Sequence, residues 1–261
     1  MSRDFRSSYG PTALIAGASE GLGAAFADAA AARGLDLVLV ARRRDALERT
    51  AAELRSRHRV TVHAAAMDLG TPEAMSAMDR IARDFEIGLV VYNAAHSPIG
   101  AFLSREADDL QRVVDVNVRG PVAIARTFAP AMVARGRGGI VLMSSLAGAQ
   151  GTPRVATYAA SKAFATVLAE GLWHELRPHG VNVLVSCAGA IRTPGFDRAS
   201  SRAVPGTLPA AVVAERTLAA LARGPRVTPG WLNRVVGFIV GRLLPRRLAV
   251  ALMAASTRNL T

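Results

Sequence analysis

The sequence predicts an α/β fold in which helices cover both faces of one parallel sheet, a doubly wound arrangement. First, short aliphatic runs alternate with longer Ala/Leu/Arg-rich segments whose apolar residues recur at helical spacing. Second, the aliphatic runs are apolar throughout, as strands buried on both faces are. Third, 261 residues without an internal repeat or a long linker suit one large domain, so we treat residues 1–261 as a single unit.

Six strands and six helices are expected along the chain. The strands are the runs at 12–16, 35–41, 60–66, 88–93, 139–144 and 181–186. The helices are the segments at 21–33, 44–57, 72–85, 106–115, 118–135 and 157–177. Ligands of such a fold bind beyond the carboxyl ends of the strands, where the strand order reverses. We therefore look for chemistry in the segments that follow the strands.

The first strand leads directly into a glycine-rich turn, "AGASEGLG". Gly17 allows a tight turn, while Gly21 and Gly23 let the backbone approach a pyrophosphate and let the helix pack closely on the sheet. The amides and partial positive charge at the start of the helix would hold phosphates. Close packing alone also explains the glycines, but their position after the first strand of an alternating pattern favours a nucleotide site.

The second strand ends in "LVLVARRR" and indicates which dinucleotide is bound. Ala41 lies where NAD-binding proteins place a carboxylate against the ribose. Arg42 and Arg43 follow, and guanidinium groups suit a dianionic 2′-phosphate. Ser19 adds a hydroxyl donor, whereas Glu20 would oppose the phosphate if it pointed the same way. The alternative is a solvated basic start to the next helix, and we predict NADP(H).

The segment after the fifth strand contains the candidate reacting groups. Of 32 Lys and Arg residues only Lys162 is lysine, and it lies four residues after Tyr158, on the same face of a helix. The ammonium, together with an oxidised nicotinamide, is expected to lower the pKa of Tyr158, so that the phenol exchanges protons near neutral pH. Ser145, just past the strand, can polarise a substrate oxygen.

The Tyr-x3-Lys pair, its upstream serine and the Gly-x3-Gly-x-Gly turn together resemble the short-chain dehydrogenase/reductase family, from Thr12 to about Pro229. The resemblance implies a Rossmann fold and hydride transfer between NADP(H) and a carbonyl or secondary alcohol. Lys162 would also bind the nicotinamide ribose, and Asn117 would hold a water near it in a proton relay. Ser145, Tyr158, Lys162 and Asn117 form the expected catalytic set. Candidate substrates are apolar: 3-oxoacyl thioesters, steroids, polyketide-like ketones and aldehydes.

The same resemblance implies further cofactor contacts. Asp68 fits the position that meets the adenine edge, although it could equally be the N-cap of a helix beginning near Pro72. "YNAA" resembles the Asn-Ala-Gly element that supports the sheet, with Ala95 in place of glycine. "CAGAIRTPG" resembles the turn beside the nicotinamide carboxamide, with Ala188 in place of proline. The expected cofactor contacts are Gly17, Ser19, Gly21, Leu22, Gly23, Arg42, Arg43, Asp68, Asn93, Ala94, Tyr158, Lys162, Gly189, Ile191 and Thr193.

Other polar residues are assigned ordinary roles. His174 and His179 do not have i, i+4 spacing and Pro178 lies between them, so we predict no metal site. His96 and Arg154 could face the substrate, but a solvated surface position is the favoured interpretation of each. The alternative to an oxidoreductase is a nucleotide-binding regulatory or scaffold protein, which the altered "YNAA" and "CAG" elements support.

Composition sets expectations about surroundings and partners. The formal net charge is +12, but the arginines are scattered without aromatic interleaving or a reading motif, so we expect no nucleic acid partner. Cys187 is the only cysteine and "MSRDFRSSYG" lacks the features of an export signal, which together favour a cytoplasmic protein. No apolar run is long enough to cross a bilayer.

Two segments are expected to act outside the central sheet. Residues 194–208 are rich in Gly, Pro and Ser and are predicted to form a substrate lid. Residues 231–261 form an apolar basic tail that Pro245 interrupts. A subunit contact in a homodimer or homotetramer, or a pocket wall, is the favoured interpretation of this tail, and weak peripheral membrane contact is the alternative.

Overall fold

A computed structural model describes residues 4–193 and 205–258 of the chain. The strands are β1 (Thr12–Ala16), β2 (Asp36–Ala41), β3 (Val62–Ala66), β4 (Ile87–Tyr92), β5 (Gly138–Ser145), β6 (Val181–Ala188), β7 (Ile191–Arg192), β8 (Leu208–Pro209) and β9 (Arg226–Val227). One sheet of seven parallel strands has the order β3-β2-β1-β4-β5-β6-β9, and β7 pairs with β8 separately.

Helices lie between the strands. They are α1 (Phe5–Tyr9), α2 (Gly21–Ala31), α3 (Arg44–Arg57), α4 (Pro72–Asp84), α5 (Ala107–Val114), α6 (Gly120–Arg135), α7 (Ala156–Leu176), α8 (Ala210–Ala220), α9 (Trp231–Phe238) and α10 (Arg246–Thr257). The predicted α/β doubly wound fold is confirmed. All six predicted strands are present, and the elements additional to the prediction are β7, β8, β9, α1, α8, α9 and α10.

The sheet separates two apolar cores because neighbouring residues of a strand point to opposite faces. Leu14 and Val38 belong to the core that α4, α6 and α7 cover. Ile15 and Leu39 belong to the core that α2, α3 and α8 cover. The strand order reverses between β1 and β4, so the carboxyl ends of these two strands mark the expected ligand site.

The predicted helices at 106–115 and 118–135 form one continuous helical segment that contains a wide turn. Residues Asp115–Arg119 are π-helical, and the amide of Gly120 donates to the carbonyl of Asp115, five residues earlier. Pro121 follows and has no amide hydrogen for the carbonyl of Asn117. The proline therefore explains why the regular α-helical ladder opens at Asn117.

The tail is helical and folds back on the domain. A second π-helical turn, Ile239–Leu243, extends α9, and Pro245 separates it from α10. No helix within residues 4–193 and 205–258 combines the length and apolar character needed to cross a membrane. Residues 194–204 of the predicted lid lie outside the described residues, as do 259–261 of the tail.

Candidate active site

A cleft of about 400 Å³ opens at the carboxyl ends of the four strands around the reversal of strand order. Its residues from the expected cofactor set are Gly17, Ser19, Arg42, Arg43, Asp68, Asn93 and Ala94. We call it the switch-point cleft. The structure thus brings together predicted residues that follow four different strands, from β1 to β4.

The glycine turn brings β1, α2 and the end of β4 into direct contact. Gly17 has φ +85°, and a Cβ atom there would lie 2.7 Å from the amide nitrogen of Ala94. A Cβ atom on Gly23 would lie 1.9 Å from the carbonyl oxygen of Gly17. The side chain of Asn93 donates to that same carbonyl over 3.1 Å. These contacts require glycine for packing, and they hold the turn against the floor of the cleft.

The start of α2 has unused hydrogen-bond donors. Glu20 is the N-cap residue, and its side chain forms no cap hydrogen bond. The first amides of a helix have no partner inside the helix, and here they belong to Gly21, Leu22 and Gly23. Their position after the glycine turn fits an anion such as a pyrophosphate.

The two arginines that follow β2 differ in their partners. Arg43 forms an ion pair of 2.9 Å with Glu20 and donates to the Ser19 hydroxyl over 3.4 Å. Arg42 is exposed and forms no ion pair with any described residue. Ala41 is buried and supplies no carboxylate. The donor set therefore fits a 2′-phosphate, although Glu20 does point at one of the two cations.

Asp68 lies in the switch-point cleft and does not cap a helix. Thr71 is the N-cap residue of α4, so the capping interpretation of Asp68 is wrong. Its carboxylate accepts from the Gly70 amide over 3.0 Å and from the Arg112 guanidinium. Burial alone would raise the pKa of Asp68, but these hydrogen bonds outweigh it and hold the pKa below its ordinary value. The carboxylate is thus an acceptor fixed on the cleft wall.

Ser145 and Tyr158 are joined at the edge of the sheet. Ser145 is the last residue of β5, and its hydroxyl accepts from the amide of Ala147 over 3.2 Å. Tyr158 lies in the first turn of α7 and is hydrogen-bonded to Ser145. Burial raises the pKa of the Tyr158 phenol, and the bond to Ser145 opposes this rise. The two hydroxyls can therefore meet one substrate oxygen.

Lys162 lies one helical turn beyond Tyr158 and is 5% exposed. Its ammonium lies 5.4 Å from the centroid of the tyrosine ring and donates to the carbonyl of Met143 over 2.9 Å. Burial lowers the pKa of Lys162 to about 8. The expected lowering of the Tyr158 pKa is not found in the protein alone, because burial of the phenol outweighs its hydrogen bond to Ser145.

Asn117 is held at the π-helical turn by three hydrogen bonds. Its Oδ1 accepts from the His96 amide over 2.8 Å, and its Nδ2 donates to the His96 carbonyl over 2.9 Å. The same Nδ2 donates to Ser161 Oγ over 3.0 Å, and Ser161 donates to the Tyr158 carbonyl. Asn117 thus connects the end of β4 to α7, while its predicted role in a water relay to Lys162 stays a prediction.

His96 lies at the site, although a solvated surface position is the favoured interpretation of its sequence. It lines the switch-point cleft, and its Nε2 lies 2.5 Å from Asp109 Oδ1, so the expected solvated surface position is wrong. Asp109 is also 3.5 Å from Arg105. The partners lie on α5 and in the loop before it, thirteen and nine residues away, and no local pattern links them to His96.

A second cleft of about 340 Å³ lies beside Tyr158. Phe102, Leu110 and Val155 give it mostly apolar walls, and we call it the tyrosine cleft. Arg154 also lines it and has φ 67°, a left-handed conformation that costs a non-glycine residue free energy. The Gly100 amide donates to the Arg154 carbonyl over 2.9 Å. This hydrogen bond joins the loop after β4 to the segment before α7, which both line the cleft.

The remaining expected cofactor residues follow β6. Ser145 and Ala188 are partners in the register of β5 and β6, so Gly189 lies at the same edge as the reacting groups. A Cβ atom on Gly189 would lie 2.7 Å from Asn233 Oδ1, which explains the glycine by packing against α9. Ile191 pairs with Leu208 across the small sheet. Neither Gly189, Ile191 nor Thr193 lines the switch-point cleft, and their cofactor contacts stay predictions.

The chain is similar in sequence to known dehydrogenases and reductases. The family model described as short chain dehydrogenase matches residues 11–203. A very-long-chain 3-oxoacyl-CoA reductase of Podospora anserina is 36% identical over 179 residues, which are 67% of this chain and 53% of that protein. A 7beta-hydroxysteroid dehydrogenase of Clostridium sardiniense is 29% identical over 191 residues, 73% of each protein. The chain thus spans about half the length of the very-long-chain reductases it matches.

Solved structures show the same similarity in three dimensions. A short-chain dehydrogenase from Sphingobium yanoikuyae in complex with NADPH has a TM-score of 0.79 and 31% identity, over 90% of this chain and 96% of that one. A bulky-bulky ketone specific alcohol dehydrogenase from Comamonas testosteroni has a TM-score of 0.77 and 28% identity, over 90% and 95% of the two chains.

Proposed function

Because the chain belongs to the short-chain dehydrogenase family, we propose that it is an NADP(H)-dependent oxidoreductase acting on a carbonyl or secondary alcohol. The observation that carries this proposal is that Tyr158 is hydrogen-bonded to Ser145 and lies next to the Lys162 ammonium. Asn117 is linked to the Tyr158 carbonyl through Ser161 and to His96, which lines the switch-point cleft. A regulatory or scaffold protein has no need of a buried ammonium one turn from a phenol. The protein would use both clefts, one for cofactor and one for substrate.

Each side chain has a distinct task in the reduction of a ketone. Ser145 donates a hydrogen bond to the carbonyl oxygen and polarises it. Tyr158 gives its proton to that oxygen, and the Lys162 ammonium stabilises the phenolate that remains. Asn117 holds the backbone of α7 through Ser161 and so keeps the phenol in place. Bound NADP(H) supplies or accepts the hydride, and the oxidation direction reverses these proton movements.

The cofactor would lie along the switch-point cleft. The free amides of Gly21, Leu22 and Gly23 fit the pyrophosphate, and Arg42 and Arg43 fit a 2′-phosphate. The preference for NADP(H) rests on Ala41, which places no carboxylate at the end of β2 where NAD-binding proteins hold the ribose. The similar Sphingobium enzyme with bound NADPH supports the same choice.

The substrate is proposed to be a fairly apolar ketone, aldehyde or alcohol. The tyrosine cleft is lined by Phe102, Leu110 and Val155 and offers few polar groups besides Tyr158 and arginine side chains. The relatives named for 3-oxoacyl-CoA and hydroxysteroid substrates act on molecules of this general kind. The mostly apolar lining of the cleft suits an apolar chain or ring better than a sugar.

Turnover of a ketone panel by the purified protein tests the proposal. With NADPH and ketones of increasing size, we expect loss of the reduced nicotinamide absorbance. Tyr158→Phe should lower kcat by about 100-fold or more, since general acid catalysis contributes that much. Tyr9→Phe, at the opposite end of the sheet, is the matched control and should turn over like the wild type.

NADPH binding without turnover of any ketone, in wild type and Tyr158→Phe alike, would instead indicate a nucleotide-binding regulatory or scaffold protein. Absence of NADPH binding would contradict the cofactor assignment itself. The two failures are distinguishable because binding and turnover are measured separately.

We also propose a cytoplasmic homodimer or homotetramer whose tail forms part of the pocket wall. Arg246 donates to the Ala149 carbonyl over 2.9 Å and Thr257 to the Pro153 carbonyl over 3.0 Å, so α10 supports the segment between Ser145 and Tyr158. The exposed apolar side chains of the tail suit a subunit contact or weak contact with a membrane surface; they are Trp231, Val235, Val236, Phe238, Ile239, Leu243, Leu248 and Leu252. Light scattering after size exclusion reports the first and vesicle sedimentation at low salt the second.

A further inference from the structure

A third cleft, of about 480 Å³, lies between α7 and the tail and is not part of the proposed active site. Three arginines line it from two elements: Arg226 in β9, Arg234 in α9 and Arg242 in the π-helical turn that extends α9. The hydroxyl of Thr228 lines it as well. We call it the arginine cleft.

No carboxylate within residues 4–193 and 205–258 forms an ion pair with these cations. Glu215 is the last acidic residue of the sequence, and the 46 residues from 216 to 261 contain eight arginines and no Asp or Glu. None of the three arginines of the cleft forms an ion pair with a described residue. Glu170 lies on α7 one turn beyond Thr166, but it does not line the cleft and pairs with none of them. In the part of the chain that the structure describes, the cleft therefore concentrates positive charge without a counter-ion.

Two glycines let α9 and its π-helical extension pack closely against the turn after β5. A Cβ atom on Gly237 would lie 2.9 Å from Leu146 Cδ2, and one on Gly241 would lie 3.3 Å from Ala149 Cβ. The glycine side of the helix thus rests on the turn after Ser145. Phe238 is 59% exposed and also lines the cleft, so an apolar surface borders the cations.

We propose that the arginine cleft binds the phosphate group of a ligand, independently of the proposed dehydrogenase activity. Guanidinium groups bind phosphate oxygens with two parallel hydrogen bonds, and three cations match a multiply charged anion better than a single carboxylate. The Thr228 hydroxyl adds a neutral donor. A soluble phosphate ester and the headgroup of an anionic phospholipid offer the same chemistry. The exposed Phe238 ring beside the cations also suits a ligand with an apolar part.

Binding of two phosphate probes tests the proposal. Arg42→Gln/Arg43→Gln serves as the reference protein, because it removes two arginines of the switch-point cleft and leaves only Arg112, which is paired with Asp68, among the arginines that line it. Inorganic pyrophosphate is titrated by calorimetry, and vesicles of phosphatidylglycerol in phosphatidylcholine are used for sedimentation. Adding Arg234→Gln/Arg242→Gln should weaken binding of at least one probe by about 10-fold or more, since hydrogen bonds to charged groups are lost. The melting temperature of each variant confirms that it folds.

The matched control adds Arg247→Gln/Arg258→Gln, which removes the same charge from exposed tail positions outside the cleft. It should change binding by less than about 2-fold, because neither of these side chains lines the cleft. A cleft-specific loss with pyrophosphate identifies a soluble phosphate ester, and one with vesicles alone identifies a lipid headgroup. The proposal is overturned if the reference protein binds neither probe, or if the control pair weakens binding as much as the cleft pair does.

Discussion

Glu20 reduces the positive charge that Arg43 can offer to a 2′-phosphate. The two side chains lie 2.9 Å apart, and both are partly exposed. A bound dianion and the Glu20 carboxylate would compete for the same guanidinium. We therefore expect Arg42 and Arg43 to favour NADPH over NADH and Glu20 to weaken that preference.

Glu20→Gln should tighten NADPH binding by about 3-fold, because an exposed ion pair is worth up to about 1 kcal/mol. NADH lacks the phosphate, so its affinity should not change and the NADPH preference should rise by the same factor. Fluorescence titration with both cofactors measures this. Glu48→Gln removes a comparable exposed acid from α3 and is the control. Equal changes for NADPH and NADH would show that Glu20 acts elsewhere on the dinucleotide.

Lys162 makes the stability of the fold depend on pH. Burial lowers its pKa to about 8 from the ordinary value of 10.5. Between these two values the unfolded chain binds the proton and the folded chain does not, so stability rises with pH across this window. The free-energy penalty is present in full below pH 8 and is lost near pH 10.5.

Lys162→Met should remove this dependence. The unfolding free energy of the variant should exceed that of the wild type most at pH 7, and the difference should shrink by about 3 kcal/mol by pH 10.5. Urea denaturation at several pH values measures both proteins, and Lys162→Arg is the control that keeps a charge throughout. A difference that stays constant with pH would mean that Lys162 is not desolvated as described.

At the scale of elements, the π-helical turn determines where Asn117 lies. Tyr92 at the end of β4 donates to the Val116 carbonyl over 2.6 Å. Burial raises the pKa of its phenol above the ordinary value, so the hydroxyl stays protonated and remains a donor. A Cβ atom on Gly120 would lie 2.0 Å from the Tyr92 hydroxyl. The Tyr92 hydroxyl therefore packs against both the π-helical turn and the first residue of α6.

Gly120→Ala should destabilise the protein by about 2 kcal/mol through overpacking. Tyr92→Phe should cost about 1 kcal/mol, since it leaves a buried carbonyl with one hydrogen bond fewer. The double variant should lose less than the sum, because the missing hydroxyl makes room for the methyl group. A double-mutant cycle by urea denaturation measures the coupling. Strict additivity would show that the Tyr92 hydroxyl is not the obstacle.

The sequence predicted the elements whose pattern is local. The predicted strands are short, mostly apolar runs. Tyr158 and Lys162 are four residues apart on one helix, so their approach follows from helix geometry. The two-residue strand β9 is too short to have a pattern. The π-helical turn at Asn117 depends on Pro121 and on Tyr92 from another element. Contacts such as His96 with Asp109 require the final fold and could not be read from spacing.

For the whole molecule, cofactor binding should appear as added stability. A ligand at about 100 times its Kd raises the unfolding free energy by about 2.7 kcal/mol, which corresponds to about 5 to 10 °C in Tm for a protein of this size. NADPH should therefore raise the Tm more than NADH at equal concentration. Thermal unfolding with each cofactor measures the difference between the two Tm values. Arg42→Ala/Arg43→Ala should abolish this difference, and an unchanged difference would contradict the 2′-phosphate assignment.

Lys162 is the only lysine of the chain and is 5% exposed, which has a practical consequence. Amine-directed acylating reagents and lysine cross-linkers will find no accessible ε-amino group on the folded molecule, and trypsin will cleave almost entirely at arginine. Any ε-amino labelling detected by mass spectrometry must then come from opening of the chain around this one side chain. The protein thus carries its own single-site chemical reporter of unfolding at α7.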